Sequence, residues 1–208
     1  MKISLIAERV LRATRRYSFA ELAARLWRLT VRSVSPKKHL VYLYEAPPEN
    51  ALLPCDDIVL LDVTSRSEEA EVYRRQMEEE EGVYHTRDLL NWALTGARVY
   101  YLMVGEQVIG HAATIRGEFV ETWYRELKPS DTVIYGVTVF RDHRGHGYAP
   151  ASYVVLAETY RKVGNVYIDT LSDNMPARRA IEKAGFTLID TVRKMTWRNA
   201  LHHVPTAR

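Results

Sequence analysis

The chain has 208 residues, 47% hydrophobic and 26% charged, with a net charge of +3 at neutral pH. This balance supplies apolar surface for a full core and excludes a chain disordered throughout, so one domain with an extension is expected. Cys55 is the single cysteine, which excludes an internal disulfide and a cysteine-type metal site and points to a reducing compartment, the cytoplasm.

Charge is unevenly distributed. Residues 1–40 hold ten Lys and Arg against Glu8 and Glu21, a balance of +8 that leaves −5 for the remainder. Within this basic segment Leu5, Ile6, Val10 and Leu11 predict the apolar face of one helix. Phe19, Leu22, Leu26 and Leu29 predict a second, started by a Ser18/Glu21 capping box. The pair has three readings: packing on the domain or on a second copy in a homodimer, adhesion of residues 1–34 to an anionic membrane surface, and nucleic-acid binding. The last is disfavoured, because no recognition-helix or RNP-type signature accompanies the charge. No apolar run approaches the ~20 residues that span a bilayer. Arginines interrupt the segment where a signal peptide would be continuously apolar.

Ser33 to Lys38 ends the helical pattern, and His39 to Tyr44 reads as a strand. Glu45 to Pro54 is a proline-marked loop, and Ile58 to Val63 is a second short strand. Ser65 to Met77 predicts a helix running into Glu78 to Glu81, a run of like charge expected to be solvated. Tyr84 to Leu94 predicts a further helix. From Val99 the period changes to two, and the runs to Val104 and from Val108 to Ile115 form a hairpin about Gly105-Glu106-Gln107. Gly117 to Pro129 is an irregular connection. Thr132 to Phe140 is a strand, Tyr148 to Arg161 a helix, and Val166 to Leu171 a strand. A helix then follows Asn174, stopped by Gly185, and Phe186 anchors the last strand.

The turn between the Thr132 to Phe140 strand and the next helix carries the clearest chemistry. Gly145 and Gly147 tolerate positive φ and let the backbone approach a ligand, while the following helix start presents N–H groups and its positive dipole end. That is a cradle for an anion such as a pyrophosphate. A P-loop fits poorly because no Lys-Ser or Lys-Thr follows the glycines, and a dinucleotide fingerprint fits poorly because Pro150 stands where its third glycine belongs.

Arg144, Gly147 and Ala149 resemble the R/Q-x-x-G-x-G/A acyl-CoA motif of the GCN5-related N-acetyltransferase (GNAT) superfamily. Asn174 to Phe186, one strand later, resembles that family's Asn-x-x-Ala/Ser helix ending in E-K-x-G-F. The resemblance covers roughly Ile58 to Trp197. It implies an α/β fold with a mixed, centrally splayed β-sheet flanked by helices, here with a basic two-helix N-terminal extension. The expected boundaries are an extension over 1–36, a strand and linker over 37–57 and the acyltransferase domain over 58–208. It also implies transfer of acetyl, or another acyl group, from acyl-CoA to a primary amine of a small molecule or peptide, with no metal. The pantetheine arm would lie along Val137 and Val139, and the phosphates against Arg144, Gly145, His146, Gly147, Tyr148 and Ala149, with Asn174 nearby.

One departure concerns proton transfer. Many members carry a tyrosine four residues before the glycine of that helix, placed to protonate the departing thiolate; here it is Ile181. Tyr148, His146 and Tyr167 are the candidate substitutes. For the base the resemblance points to side chains facing the wedge, Tyr135, His111 or Asp169. Each has a plainer reading, as half-buried packing, a satisfied hairpin residue and a cross-strand partner respectively. His143 and His146 are expected to line phosphate. Arg141 and Arg144 are expected to pair with it, or Arg144 to brace the loop. In this family the acceptor side is shaped by the connection before the central strand, here Gly117 to Ser130 with Trp123 and Tyr124, and by the two helices after the first core strand. A polyamine, a protein N-terminus and an amino sugar are all open. The alternative function is a non-catalytic acyl-CoA-binding or membrane-associated scaffold.

Overall fold

The computed structural model describes residues 37–46, 53–63, 68–81, 92–121, 123–195 and 200–203. The two expected N-terminal helices lie outside the described residues. So does the expected 84–94 helix before residue 92, and residues 92–94 are helical.

The alternating and β-branched runs form strands β1 (Lys37–Tyr44), β2 (Ile58–Asp62), β3 (Ala97–Val104), β4 (Gln107–Arg116), β5 (Thr132–Val139), β6 (Val166–Leu171), β7 (Phe186–Met195) and β8 (Ala200–His203). Helices are α1 (Glu68–Glu81), α2 (Tyr148–Tyr160) and α3 (Met175–Lys183). The glutamate run Glu78 to Glu81 extends α1 to its end. Strand β8 has no counterpart in the sequence reading, because Ala-Leu-His-His is too short to show a period.

The strands form one sheet in the order β2-β3-β4-β5-β6-β1-β7-β8. All the described pairings are antiparallel except β5 with β6. A parallel pair requires a crossover, which α2 supplies. Strand β1, read from sequence as lying outside the acyltransferase domain, is an interior strand of this sheet, antiparallel to β6 on one side and β7 on the other.

Both faces are covered. On one, Tyr153, Leu156 and Ile181 of α2 and α3 pack with Tyr42, Leu102 and Ile134. Helix α2 is apolar nearly all round and correspondingly sunk, with Ala151, Leu156 and Ala157 fully buried. On the other face Tyr73 of α1 and Trp92 close over Val99, Tyr101 and Met103. Further along that face Trp123 and Tyr124 cover Val41 and Val192.

Candidate active site

The site begins where β5 and β6 part. Their pairing consists of Thr132 with Val166, Val133 with Tyr167 and Ile134 with Ile168. Tyr135 and Asp169 are therefore the first residues beyond the last pair on their strands. On its other edge β5 stays with β4, but the register jumps: Ala113 faces Tyr135 and His111 faces Thr138, so β5 carries an extra residue at Gly136–Val137. This β-bulge bends the strand away from its neighbour. Gly136 has φ 63, a conformation that costs a residue with a Cβ. The Trp92 ring also lies against it, so closely that a Cβ would fall 2.6 Å from Cζ3.

Beyond the bulge a cavity of about 510 Å³ is walled by Val137, Thr138 and Val139 on one side and by Asn174, Ala177 and Ala180 of α3 on the other. The small residues at 177 and 180, one turn apart on the same helix face, leave it open. Its end is the Gly145–Ala149 turn. Gly145 and Gly147 take φ 87 and 83, as the sequence required. Gly147 is the N-cap of α2, and no side chain caps that helix. Pro150 has no N–H, so Gly147, Tyr148 and Ala149 are the residues whose N–H groups the start of α2 leaves for a ligand. Arg144 donates from Nε to the Val139 carbonyl at 2.9 Å, bracing the turn against the end of β5. The ionisable side chains of the lining include His143, Arg144 and Lys183 but no carboxylate, so the cavity is suited to an anion. Tyr153 also lines it, and burial pushes its hydroxyl up to about 12. It is therefore a neutral donor at physiological pH.

A second cavity, of about 500 Å³, lies on the face opposite α2, under the connection that follows β4. Phe119, Trp123, Tyr124 and Tyr135 form its aromatic walls, and Glu121 and Asp169 are its carboxyl-bearing residues. Asp169 is held by β1. Its Oδ2 lies 2.9 Å from His39 Nδ1 and accepts from the Tyr124 hydroxyl at 3.1 Å, while that hydroxyl is 2.8 Å from the same imidazole nitrogen. Among the described residues Oδ1 makes no hydrogen bond. Burial first, and then the Asp169 carboxylate, raises the Tyr124 hydroxyl far above its ordinary range. Burial alone raises Tyr135. Both are phenols, not phenolates, at neutral pH.

The sequence candidates thus separate into groups. Val137, Val139, Arg144, Gly145, Gly147, Tyr148, Ala149 and Asn174 all line the first cavity. So does His143, whereas His146 is exposed, stacked on Tyr148 and bonded to the His143 carbonyl at 3.3 Å. Arg141 is exposed on the turn and is not among the lining residues. Asp169 and Tyr135 share the second cavity, but His111 lines neither and is 1% exposed beside Phe140. Tyr167 packs in a tilted pair with Trp123 under the guanidinium of Arg125, away from the first cavity. Ile181 is 1% exposed in the core between α2 and the sheet, so a side chain at 181 faces packing and not the cavity. Sequence reasoning passed over His39, Trp92, Tyr153 and Lys183. For Tyr153 the available signal was helical phase, since it stands on the same side of α2 as Ala149 and Pro150. His39 and Trp92 carried none, because their partners lie far away in the chain.

The profile described as the acetyltransferase (GNAT) family matches residues 67–186. An acetyltransferase from the GNAT family from Colwellia psychrerythraea has a similar structure, with a TM-score of 0.52 at 16% identity over 76% of this chain; the match spans 54% of that longer protein. AAC(6')-Ib in complex with paromomycin and acetyl-CoA gives a TM-score of 0.53 at 18% identity, covering 72% of this chain and 91% of that one. The aminoglycoside acetyltransferase AAC(6')-Ib in complex with coenzyme A gives 0.51 at 19% identity, over 69% and 90% of the two chains. No curated protein matches the sequence significantly. The structural likenesses establish a shared fold, and the family match spans more than half of the sequence and contains β5, the glycine turn, α2 and α3. The chain belongs to the acetyltransferase (GNAT) family.

Proposed function

We propose that the protein is an N-acyltransferase that moves acetyl from acetyl-CoA to an amine by direct attack on the thioester. The observation that carries this reading is the cation-lined cavity behind the β5 bulge, closed by the Gly145–Ala149 turn. The turn and the start of α2 take the pyrophosphate through backbone N–H groups, with Arg144 and Lys183 adding charge. The pantetheine lies in the gap between β5 and β6, against Val137 to Val139. These residues have no paired partner on β6, so N–H groups on that edge of β5 can serve the arm and the oxyanion.

The amine approaches from the opposite face, past Tyr135 and Asp169. It must be neutral to attack, so a proton leaves the ammonium. Asp169 is the acceptor this reading favours, with His39 behind it to share the charge. The amine nitrogen bonds to the thioester carbon, the carbon–sulfur bond breaks, and the electron pair leaves on sulfur. A thiolate, with a conjugate acid near ~8.5, is a fair leaving group; Tyr148 and Tyr153 are the cavity hydroxyls that can protonate it.

The test is calorimetric titration with acetyl-CoA. Binding in the micromolar range that is abolished by Gly147→Glu, which puts bulk and negative charge into the cradle, supports the reading. Absence of binding at high micromolar acetyl-CoA sinks it. Amine-dependent release of CoA thiol separates a transferase from a non-catalytic acyl-CoA-binding scaffold, which would bind and not turn over.

A further inference from the structure

The charge and polarity of the second cavity restrict the acceptor, given the transferase reading above. We propose that this cavity takes an arylalkylamine: a primary ammonium joined through a short chain to a flat apolar body. The ammonium sits against Asp169 and Glu121, the carboxylates of the lining, which includes no Lys or Arg. Asp169 is set for this, because it lines the cavity while His39 and Tyr124 both engage Oδ2, and among the described residues Oδ1 has no hydrogen bond. The body lies among Phe119, Trp123 and Tyr135, whose ring faces and edges match an aromatic group and whose π-faces also favour the adjoining cation. Phe119 is 53% exposed, a large apolar side chain that a bound ring would cover.

The polar groups that are missing from the described lining are equally informative. The remaining wall is Ile115, Val120 and Val133, and no Ser, Thr, Asn, Gln, Lys or Arg takes part. Of the two hydroxyls present, that of Tyr124 is engaged by Asp169 and His39. An amino sugar carries a hydroxyl on almost every carbon, and each one buried here without a partner would weaken binding. A polyamine fares better at the carboxylates but has no group for the rings. At about 500 Å³ the cavity is within the usual range for a small-molecule site.

The experiment is calorimetric titration of the full chain with 2-phenylethylamine, spermidine and glucosamine, each with and without CoA present. Phenylethylamine is expected to bind at least tenfold more tightly than either other amine. Asp169→Asn and Trp123→Ala should each weaken it by about tenfold, the scale of one charge-assisted hydrogen bond or one aromatic wall, with acetyl-CoA affinity unchanged. Glu121→Gln, on an exposed loop where folding is not at issue, should weaken it by a smaller factor. Failure of phenylethylamine to bind, equal or tighter binding of glucosamine or spermidine, or indifference to both Trp123→Ala and Glu121→Gln overturns the proposal. Phenylethylamine binding without acetyl-CoA binding would remove the transferase reading and leave this site standing. Acetyl-CoA binding without phenylethylamine binding would do the reverse.

Discussion

His39 and Asp169 stand 130 positions apart in the chain and meet at 2.9 Å, because β1 is slotted between β6 and β7. Val41 and Tyr42 of β1 are fully buried, so this strand is part of the core of the acyltransferase domain although the family match begins after it. Deleting residues 1–44 would strip a central strand and leave two edges open. The truncated chain is expected to lose its cooperative thermal transition and to aggregate. A melt by circular dichroism with the full chain's midpoint would refute the assignment of β1 to the core.

Gly136 and Trp92 make a separable pair. Gly136→Ala forces a Cβ into the left-handed region, at about 1–2 kcal/mol, and adds a clash with the Trp92 ring. Trp92→Ala relieves the clash but not the backbone strain. Chemical denaturation of the two single variants and the double variant should therefore show Gly136→Ala costing less in the Trp92→Ala background, with a residue of about 1 kcal/mol left. Equal costs in both backgrounds would mean that the ring does not press on the strand.

Arg144 is predicted to act through the turn as well as through its charge. Losing the Nε bond to the Val139 carbonyl frees the cradle, so Arg144→Ala should weaken acetyl-CoA binding by roughly tenfold to a hundredfold. Arg144→Lys keeps a charge but not the planar fork and should recover little of the loss. Full recovery by lysine would leave charge as the whole explanation.

Ionic strength tests the cavity's charge. With Arg144 and Lys183 in the lining of the first cavity and no carboxylate there, the acetyl-CoA dissociation constant should rise as salt is increased from about 0.05 to 0.5 M. Lys183→Ala should weaken binding at low salt and flatten this dependence. A flat profile for the native chain would argue that Lys183 does not reach the phosphates.

Alkaline stability follows from the buried tyrosines. Tyr153 has its hydroxyl raised from 10.0 to about 12 by burial. The fold therefore favours the neutral phenol. This contribution is complete below pH 10 and is lost as the pH climbs through the folded value near 12. Within that window each such tyrosine takes away about 1.4 kcal/mol per pH unit. Tyr101 and Tyr42 are raised in the same direction. Urea unfolding at successive pH values above 10 should show a falling stability, with a shallower slope in Tyr153→Phe; an identical slope would contradict a buried titrating Tyr153.

The sequence by itself determined what is local. The order of strands β1 to β7 and helices α1 to α3 followed from the change of period at each element, because burial of one face imposes a repeat of two or of 3.6 on the residues. The turn at Gly145 and Gly147 and the Asn174 cap with its Ala177 N–H bond were likewise legible, since φ and capping are set within a few residues. Only the tertiary structure decided the rest. Which strand fills the slot beside β6, whether Asp169 meets His39, and that Ile181 turns into the core all depend on register and packing between segments far apart. The bulge at Gly136–Val137 belongs to the same class, because an extra residue on β5 is defined only against its partner β4. The sequence thus located the glycine turn that ends the first cavity, and the sheet supplied the second cavity on its opposite face.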